Sequence, residues 1–478
     1  GDGGGDDDNS RNNASMTNHN IERVHVIVLV HGFIGCPQDL AYVHHSCEEQ
    51  ASKLQHELHR ESEPFYVYTC VSNHGKTNDG IEAGADRVAT EVRQFLHNVQ
   101  QKHHHADGHF NLKEMTISII GYSLGGLYSR HALPKILQPL DRKDTGQDRP
   151  ILLTPKVFCT IATPHLGSKG HTFVHIPKMF HHVIGRFSRT GKDLFLQTNV
   201  LNRTVTDPVW VEPLLSFERR IAYTNTHNSD MMVPTSTAAF ITPNNSLEHL
   251  VVDGEWSNPF VALVVETPAE HHLLREQLQR DHESNWSPLS RSWDHTRRLD
   301  AMGWSKVFVD FTNQSHNEAE DDESTMEKQE DEEGEELVGR YFSNTKIRRR
   351  RSYRGRRRSF QSSELHAEFQ AKSKPKFFPN GHDQIAVNSK NALLSYTLRK
   401  GRPLIDQLTN DFIRDILLGP SPSLLSASTS FKASSASASF SASASLSSSV
   451  STTSDNISIL QEETRNCGSN KTLESCMV

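Results

Sequence analysis

The stretch Ile117-Ser118-Ile119-Ile120-Gly121-Tyr122-Ser123-Leu124-Gly125-Gly126 constrains the fold of this chain more than any other. An apolar, β-branched run enters a Gly-x-Ser-x-Gly pentapeptide, and the spacing predicts a helix from Leu124 to Leu133 that stops at Pro134. A buried strand that turns sharply into a helix presents one serine hydroxyl at its tip, the layout of a nucleophile elbow. Gly121 and Gly125 flank the serine where a Cβ would crowd the crossing, and Gly126 lets the helix pack closely. The pentapeptide alone recurs by chance, and its bland reading is a turn serine. Its position between strand and helix singles out Ser123.

Around this element, strands and helices alternate. Val24 to Val30 is a near-continuous β-branched run, as expected of a strand buried on both faces of a parallel sheet. It ends in the turn His31-Gly32-Phe33-Ile34-Gly35. Leu40, Val43, Cys47, Ala51, Leu54 and Leu58 follow at helical spacing. Phe65 to Val71 reads as the next strand. Ile81, Ala85, Val88, Val92, Phe95, Leu96 and Val99 mark a long amphipathic helix before the elbow strand. Beyond it come strands at Lys156–Ala162, Arg219–Thr224 and Lys306–Phe311, and a closing helix through Leu404 to Leu417. The alternation predicts an α/β class, a doubly wound and mostly parallel sheet. An α/β core over 21–312 resumes at 373–419, with a cap or lid inserted at about 168–215.

Three segments read as disordered: an acidic lead at 1–20, an insertion at 313–372 and a Ser/Ala-rich tail at 420–478. The insertion holds an acidic block, Glu318 to Glu336, and a basic one, Lys346 to Arg358. These segments explain why a chain of 478 residues is only 35% hydrophobic, with a mean hydropathy of -0.58. The net charge of -7 hides the opposed blocks and does not argue for nucleic acid. The six cysteines show neither a paired framework nor metal spacing. Four lie in apolar contexts that suit buried thiols in a reducing, cytoplasmic compartment. No apolar run approaches the ~18 residues of a membrane-spanning helix. No signal-peptide core stands before Asn20, and because the chain starts at Gly1 an upstream targeting segment remains compatible with it.

A serine hydroxyl at neutral pH needs a histidine base, a carboxylate to orient it and donors for the developing oxyanion. In a strand-elbow-helix fold the partners follow in the order Ser, Asp or Glu, His, on loops at strand ends. Asp230, in the loop after the Arg219–Thr224 strand and braced by Val233-Pro234, is the preferred acid, against a mere turn cap; Asp253 and Asp193 compete. Among 28 histidines, His382 suits the base, since it lies beyond the last strand in a loop before an apolar stretch. His316 is its rival, at the mouth of the acidic block. The oxyanion donors would be the backbone N–H groups of Leu124 and Phe33, with Gly32 allowing close approach. His31 and His165 would brace the site. The run His103-His104-His105 with His109 lacks further ligands and reads as a solvated linker, so no metal is expected; no cofactor is expected either, because the chemistry of a Ser-His-Asp site needs none.

The blocks Val28 to Phe33, Gly121 to Leu127, Ala162 to Gly167 and Asp230 to Pro234 together resemble the serine esterase family of unknown-function type 676 (DUF676), which includes yeast Rog-type lipases and plant α/β-hydrolases. Arg189 to Leu196, Met302 to Val307 and the segment following His382 are similar to its later blocks. The resemblance implies an α/β-hydrolase fold, hydrolysis of acyl lipid esters such as monoacylglycerols or phospholipids, and Ser123, Asp230 and His382 as the triad. Transfer of the acyl group to an alcohol uses the same residues, and a non-catalytic scaffold acting through its charged tails is the third reading. The insertion at 313–372 is the departure from the family pattern. Its arginines, Arg348 to Arg358, suit anionic lipid at a membrane or lipid-droplet surface, a nuclear address, a latch onto the acidic block, or basophilic-kinase sites at Ser352 and Ser359.

Overall fold

A computed structural model describes residues 23–103, 112–140, 151, 153–169, 188–226, 230, 233–243, 245, 247–252, 258–283, 292–311, 359–371, 382, 385–386, 399 and 401–419. The expected lead at 1–20 and tail at 420–478 lie outside these residues, as do His316, Asp253 and the 170–187 part of the expected lid.

In chain order the elements are β1 (Arg23–Val30), α1 (Ala41–Glu57), β2 (Phe65–Thr69), α2 (Ile81–Lys102), β3 (Glu114–Tyr122) and α3 (Leu124–Ile136). Then come β4 (Leu153–Ile161), α4 (Arg189–Leu194), α5 (Val200–Thr206), α6 (Pro208–Leu215), β5 (Arg219–Asn225) and α7 (Thr235–Ala238). The rest are β6 (Glu248–Val251), β7 (Val261–Glu266), α8 (His271–Glu283), α9 (Ser292–Ala301), β8 (Ser305–Val309), β9 (Ser359–Gln361), α10 (Ser362–Ala371) and α11 (Arg402–Leu418).

The strands form one sheet in the order β2-β1-β3-β4-β5-β8-β7-β6-β9. From β2 to β8 every pairing is parallel, and the last three strands join antiparallel. Strand β1 shows how the sequence produces a doubly wound sheet. Val24, Val26, Val28 and Val30 enter one core layer with α2, α3, α5 and α6, while Ile27 and Leu29 enter the other with α1 and α11. Side chains alternate across a strand, so a strand covered on both faces is apolar nearly throughout, with His25 the buried polar exception, bonded to Thr116 and Glu63. Each such side chain contributes about 1.5–3 kcal/mol by leaving water.

Chain direction along the sheet reverses at β1: β2 lies on one side, and β3 and β4 on the other. The crevice at the carboxyl ends of strands flanking such a reversal is where open α/β sheets place their sites. Here the two strand ends are His31-Gly32-Phe33 and Ser123.

Four sequence expectations differ from the structure. Helix α3 runs through Pro134 to Ile136, since the proline removes one N–H from a last turn that Leu137 N closes onto Leu133 O. Residues 188–215, expected in a lid, pack as body of the fold: Val200, Leu201, Val205, Val211, Leu214 and Leu215 join the α3 core layer. Strands β6 and β7 were not anticipated, being short and weakly alternating. The insertion expected to be disordered over 313–372 ends instead at a folded strand–helix, β9–α10, because Phe360, Leu365 and Phe369 close over Phe308 and Val265. Phe369 stacks on Phe308 at a 4.7 Å centroid separation.

Candidate active site

Strand β3 pairs with β1 on one side and β4 on the other, so the turn after it is held from both flanks. Ser123 has φ 54 and ψ -126, a conformation costly for a residue with a Cβ, and Ser123 N is fixed to Ile161 O at 2.8 Å. Gly125 begins α3 against the β1 backbone: a Cβ there would stand 2.0 Å from Val30 O. Gly121 abuts Gly126 across the turn. The result is a serine at the sheet's carboxyl edge, 7% exposed, with the N-terminus of α3 beneath it.

His382 stands beside it. Its Nε2 is 3.0 Å from Ser123 Oγ and its Nδ1 is 2.9 Å from Asp230 Oδ2. A carboxylate only accepts, so Nδ1 carries the ring proton and Nε2 is free to accept from the serine hydroxyl. Asp230 is buried, 2% exposed. Its Oδ2 also accepts from Asn225 Nδ2 at 3.1 Å, and its Oδ1 from Val233 N at 2.8 Å. Three donors on one buried carboxylate fix its direction. Strand β5 supplies Asn225, five residues before Asp230, and Thr226 N ties this strand end to Val309 O of β8 at 2.8 Å.

The elbow also positions the imidazole. Tyr122, the residue before the serine, donates its hydroxyl to the backbone carbonyl of His382 at 3.1 Å, and the two rings lie 5.1 Å apart. Ile385 and Ala386, just beyond His382, are buried in the same layer as Tyr122. Sequence reasoning missed Tyr122 and Asn225. Tyr122 was visible as the variable residue inside the pentapeptide; Asn225 carried no signal except its closeness to Asp230.

The turn after β1 meets the nucleophile directly. A Cβ on Gly32 would fall 2.6 Å from Ser123 Cβ and 3.1 Å from Oγ, so only glycine fits. Its carbonyl accepts from Gly35 N at 3.1 Å and from His31 Nδ1 at 3.2 Å, which locks the turn carrying Phe33. His165 lies deeper. Arg130 Nη1 donates to its Nδ1 at 3.1 Å, and its Nε2 meets Thr160 Oγ1 at 3.0 Å. Burial and the adjacent Arg130 guanidinium depress its basicity well below the ordinary histidine range. It is a neutral brace between α3 and β4. Asp193, an alternative acid, is used elsewhere: its Oδ2 accepts from Ile81 N at 2.7 Å at the start of α2.

A cavity of about 50 Å³ lies under α11, lined by residues that include Arg219, Tyr223, Asp411 and Asp415. It has room for water. Among the described residues no His, Cys, Asp and Glu side chains gather into a metal-ligating group, and no helix is long and apolar enough to cross a membrane.

A parallel-rich sheet with a serine elbow at its reversal point defines an α/β hydrolase. Residues 20–242 match the family model "Putative serine esterase (DUF676)". The match includes Ser123 and Asp230 and ends before His382. No curated protein matches in a sequence search. Among solved structures, a phospholipase PlaB from Legionella pneumophila in complex with thio-NAD is 14% identical, covering 43% of this chain and 38% of its own, at a TM-score of 0.25. A lipase-esterase related protein from Clostridium acetobutylicum is 13% identical over 45% of this chain and 79% of its own, with a TM-score of 0.21. The chain thus spans less than two thirds of the Legionella phospholipase, 38% of its length in that structure and 62% in another. Likenesses at these scores carry no argument about activity.

Proposed function

We propose that the chain is a serine carboxylic ester hydrolase, with Ser123 as nucleophile, His382 as base and then acid, and Asp230 as the group that orients the imidazole. The observation that supports it best is a single imidazole within hydrogen-bond reach of both Ser123 Oγ and a buried, three-donor carboxylate. Nucleophile and base at this separation form a working pair when the base is itself oriented.

In the proposed cycle Ser123 Oγ attacks the ester carbonyl while its proton passes to His382 Nε2. The oxyanion is stabilised by the N–H groups of Leu124 and Phe33, at the start of α3 and in the turn braced by Gly32 and His31. Collapse breaks the bond to the alcohol, which leaves with the proton from Nε2. Water then repeats the sequence on the acyl-serine, releasing the acid and the free hydroxyl. The chemistry balances with ester and water alone.

Lipid esters such as monoacylglycerols or phospholipids are the proposed substrates. Phe33 is 37% exposed, Ile34 71% and Val71 54%, on the neighbouring turns after β1 and β2 at the crevice edge. Apolar side chains left in water beside a nucleophile suit an acyl chain. The test is turnover of p-nitrophenyl esters and of monoacylglycerols by the chain and by Ser123→Ala and Asp230→Asn. The proposal expects losses of at least about 10³-fold in both variants. Activity retained by folded Ser123→Ala sinks it. Loss of short-ester activity in both variants, with no lipid turned over by the parent chain, keeps the chemistry and removes the lipid assignment.

A further inference from the structure

The site described above leaves one repeated motif unused. Arg349-Arg350-Arg351-Ser352-Tyr353 and Arg356-Arg357-Arg358-Ser359-Phe360 place arginines two and three residues before a serine, and an aromatic residue after it. Arg349–Arg358 lie outside the described residues and enter only as sequence. Ser359 is described, and its surroundings give the motif a consequence.

Ser359 opens β9, the end strand of the sheet, which pairs only with β6 among the described residues. Glu248 lies opposite Gln361, and Leu250 opposite Ser359, so Ser359 and Glu248 are diagonal neighbours on one face. Ser359 Oγ donates to Glu248 Oε1 at 2.5 Å. Phe360 points to the other face and packs with Leu365 and Phe369 over Phe308. Ser362 Oγ donates to Thr242 O at 3.1 Å and accepts from Thr242 N at 3.2 Å, pinning the start of α10. A three-residue strand with Glu248 exposed beside it thus opens a small folded unit, β9–α10.

We propose that Ser359 is a phosphorylation site for an arginine-directed serine kinase, and that its phosphate unlatches β9 from β6. In the modification Ser359 Oγ attacks the γ-phosphorus of a nucleoside triphosphate. The new O–P bond forms as the bond to the β,γ-bridging oxygen breaks, the hydroxyl proton passes to the kinase, and the diphosphate leaves. Ser359 then loses the proton it donates to Glu248 and gains close to two negative charges facing that carboxylate. Like charges in diagonal contact oppose the pairing. The inference is independent of the ester chemistry.

The test treats the full chain with a cAMP-dependent-type kinase catalytic subunit and magnesium ATP. Modified serines are mapped by mass spectrometry, and amide exchange over 359–371 is followed before and after. The expected results are phosphate on Ser359, at least tenfold slower addition in the Arg356→Gln, Arg357→Gln variant, and exchange over 359–371 accelerated roughly ten- to thirtyfold with α2 unchanged. Glu248→Gln should reduce that acceleration to roughly threefold or less. Phosphate on Ser352 alone overturns the proposal, since the same spacing then fails within the folded strand. Phosphate on Ser359 with unchanged exchange overturns the latch. Retention of the chain on phosphatidylserine vesicles at physiological salt, with Ser359 left unmodified, assigns the arginines to a lipid surface and overturns it as well.

Discussion

Gly32→Ala is the most informative single perturbation of the crevice. The added Cβ would stand 2.6 Å from Ser123 Cβ and 3.1 Å from Tyr122 O, whereas ordinary contacts begin at 3.4 Å. Neither neighbour can give way: one belongs to a serine fixed at Ile161 O, the other to a strand paired on both sides. The turn after β1 must therefore retreat by roughly 1 Å, and the Phe33 N–H retreats with it. A donor displaced that far stops stabilising the oxyanion, which costs about 10²–10³ in kcat, or about 3–4 kcal/mol. KM should stay within about threefold, because the donor acts on charge that exists only in the transition state. The assay is steady-state hydrolysis of p-nitrophenyl butyrate, with circular dichroism confirming the fold. Phe33→Ala is the control, as it removes the ring and keeps the N–H, and it should hold kcat within about fivefold. A folded Gly32→Ala with kcat within threefold of the parent would refute the assignment of this turn to the oxyanion.

Three further outcomes are expected. Tyr122→Phe deletes one hydroxyl bond to the His382 carbonyl, so fluorophosphonate labelling should slow about five- to tenfold with Tm nearly unchanged, consistent with roughly 1–1.5 kcal/mol; an unchanged rate would remove Tyr122 from the positioning of the base. Asn225→Ala withdraws one donor from Asp230 and should lower kcat about tenfold, while unchanged kcat would show that its remaining partners suffice. His131 is pushed down to about 4 by burial, so it is neutral in the fold and charges more readily when unfolded. Its contribution is complete above the ordinary histidine value of 6.5 and is lost as pH falls toward about 4. The stability gap between the chain and His131→Gln, from urea midpoints, should accordingly shrink by up to about 3 kcal/mol between pH 7 and 4. A gap independent of pH would refute the burial argument.

The elements buried on both faces were legible in the sequence because their chemistry is uniform. Val24 to Val30 and Ile117 to Gly121 read as strands without structural help. Motif logic also placed Ser123, Asp230 and His382 on three loops that the fold brings together, although 152 residues separate the last two. What stayed hidden lacked a local signature. Strands β6, β7 and β9 are short, and each depends on a neighbour distant in sequence. The β9–α10 unit sits directly after a run of arginines, whose composition masked the apolar spacing of Phe360, Leu365 and Phe369. Over 188–215 the irregular, mixed helices resemble a cover in sequence, while the apolar residues of α5 and α6 turn into the core beside α3. Tyr122 and Asn225 act through a hydroxyl and an amide on partners that only folding supplies.

The central claim, a serine activated by one imidazole held on Asp230, is tested most directly by reaction with a fluorophosphonate and mapping of the adduct. The account predicts a single phosphonylated peptide containing Ser123, absent in Ser123→Ala and slowed by at least about 10³-fold in His382→Ala. Labelling that survives His382→Ala at the parent rate, or a folded chain that takes no label at all, would contradict it.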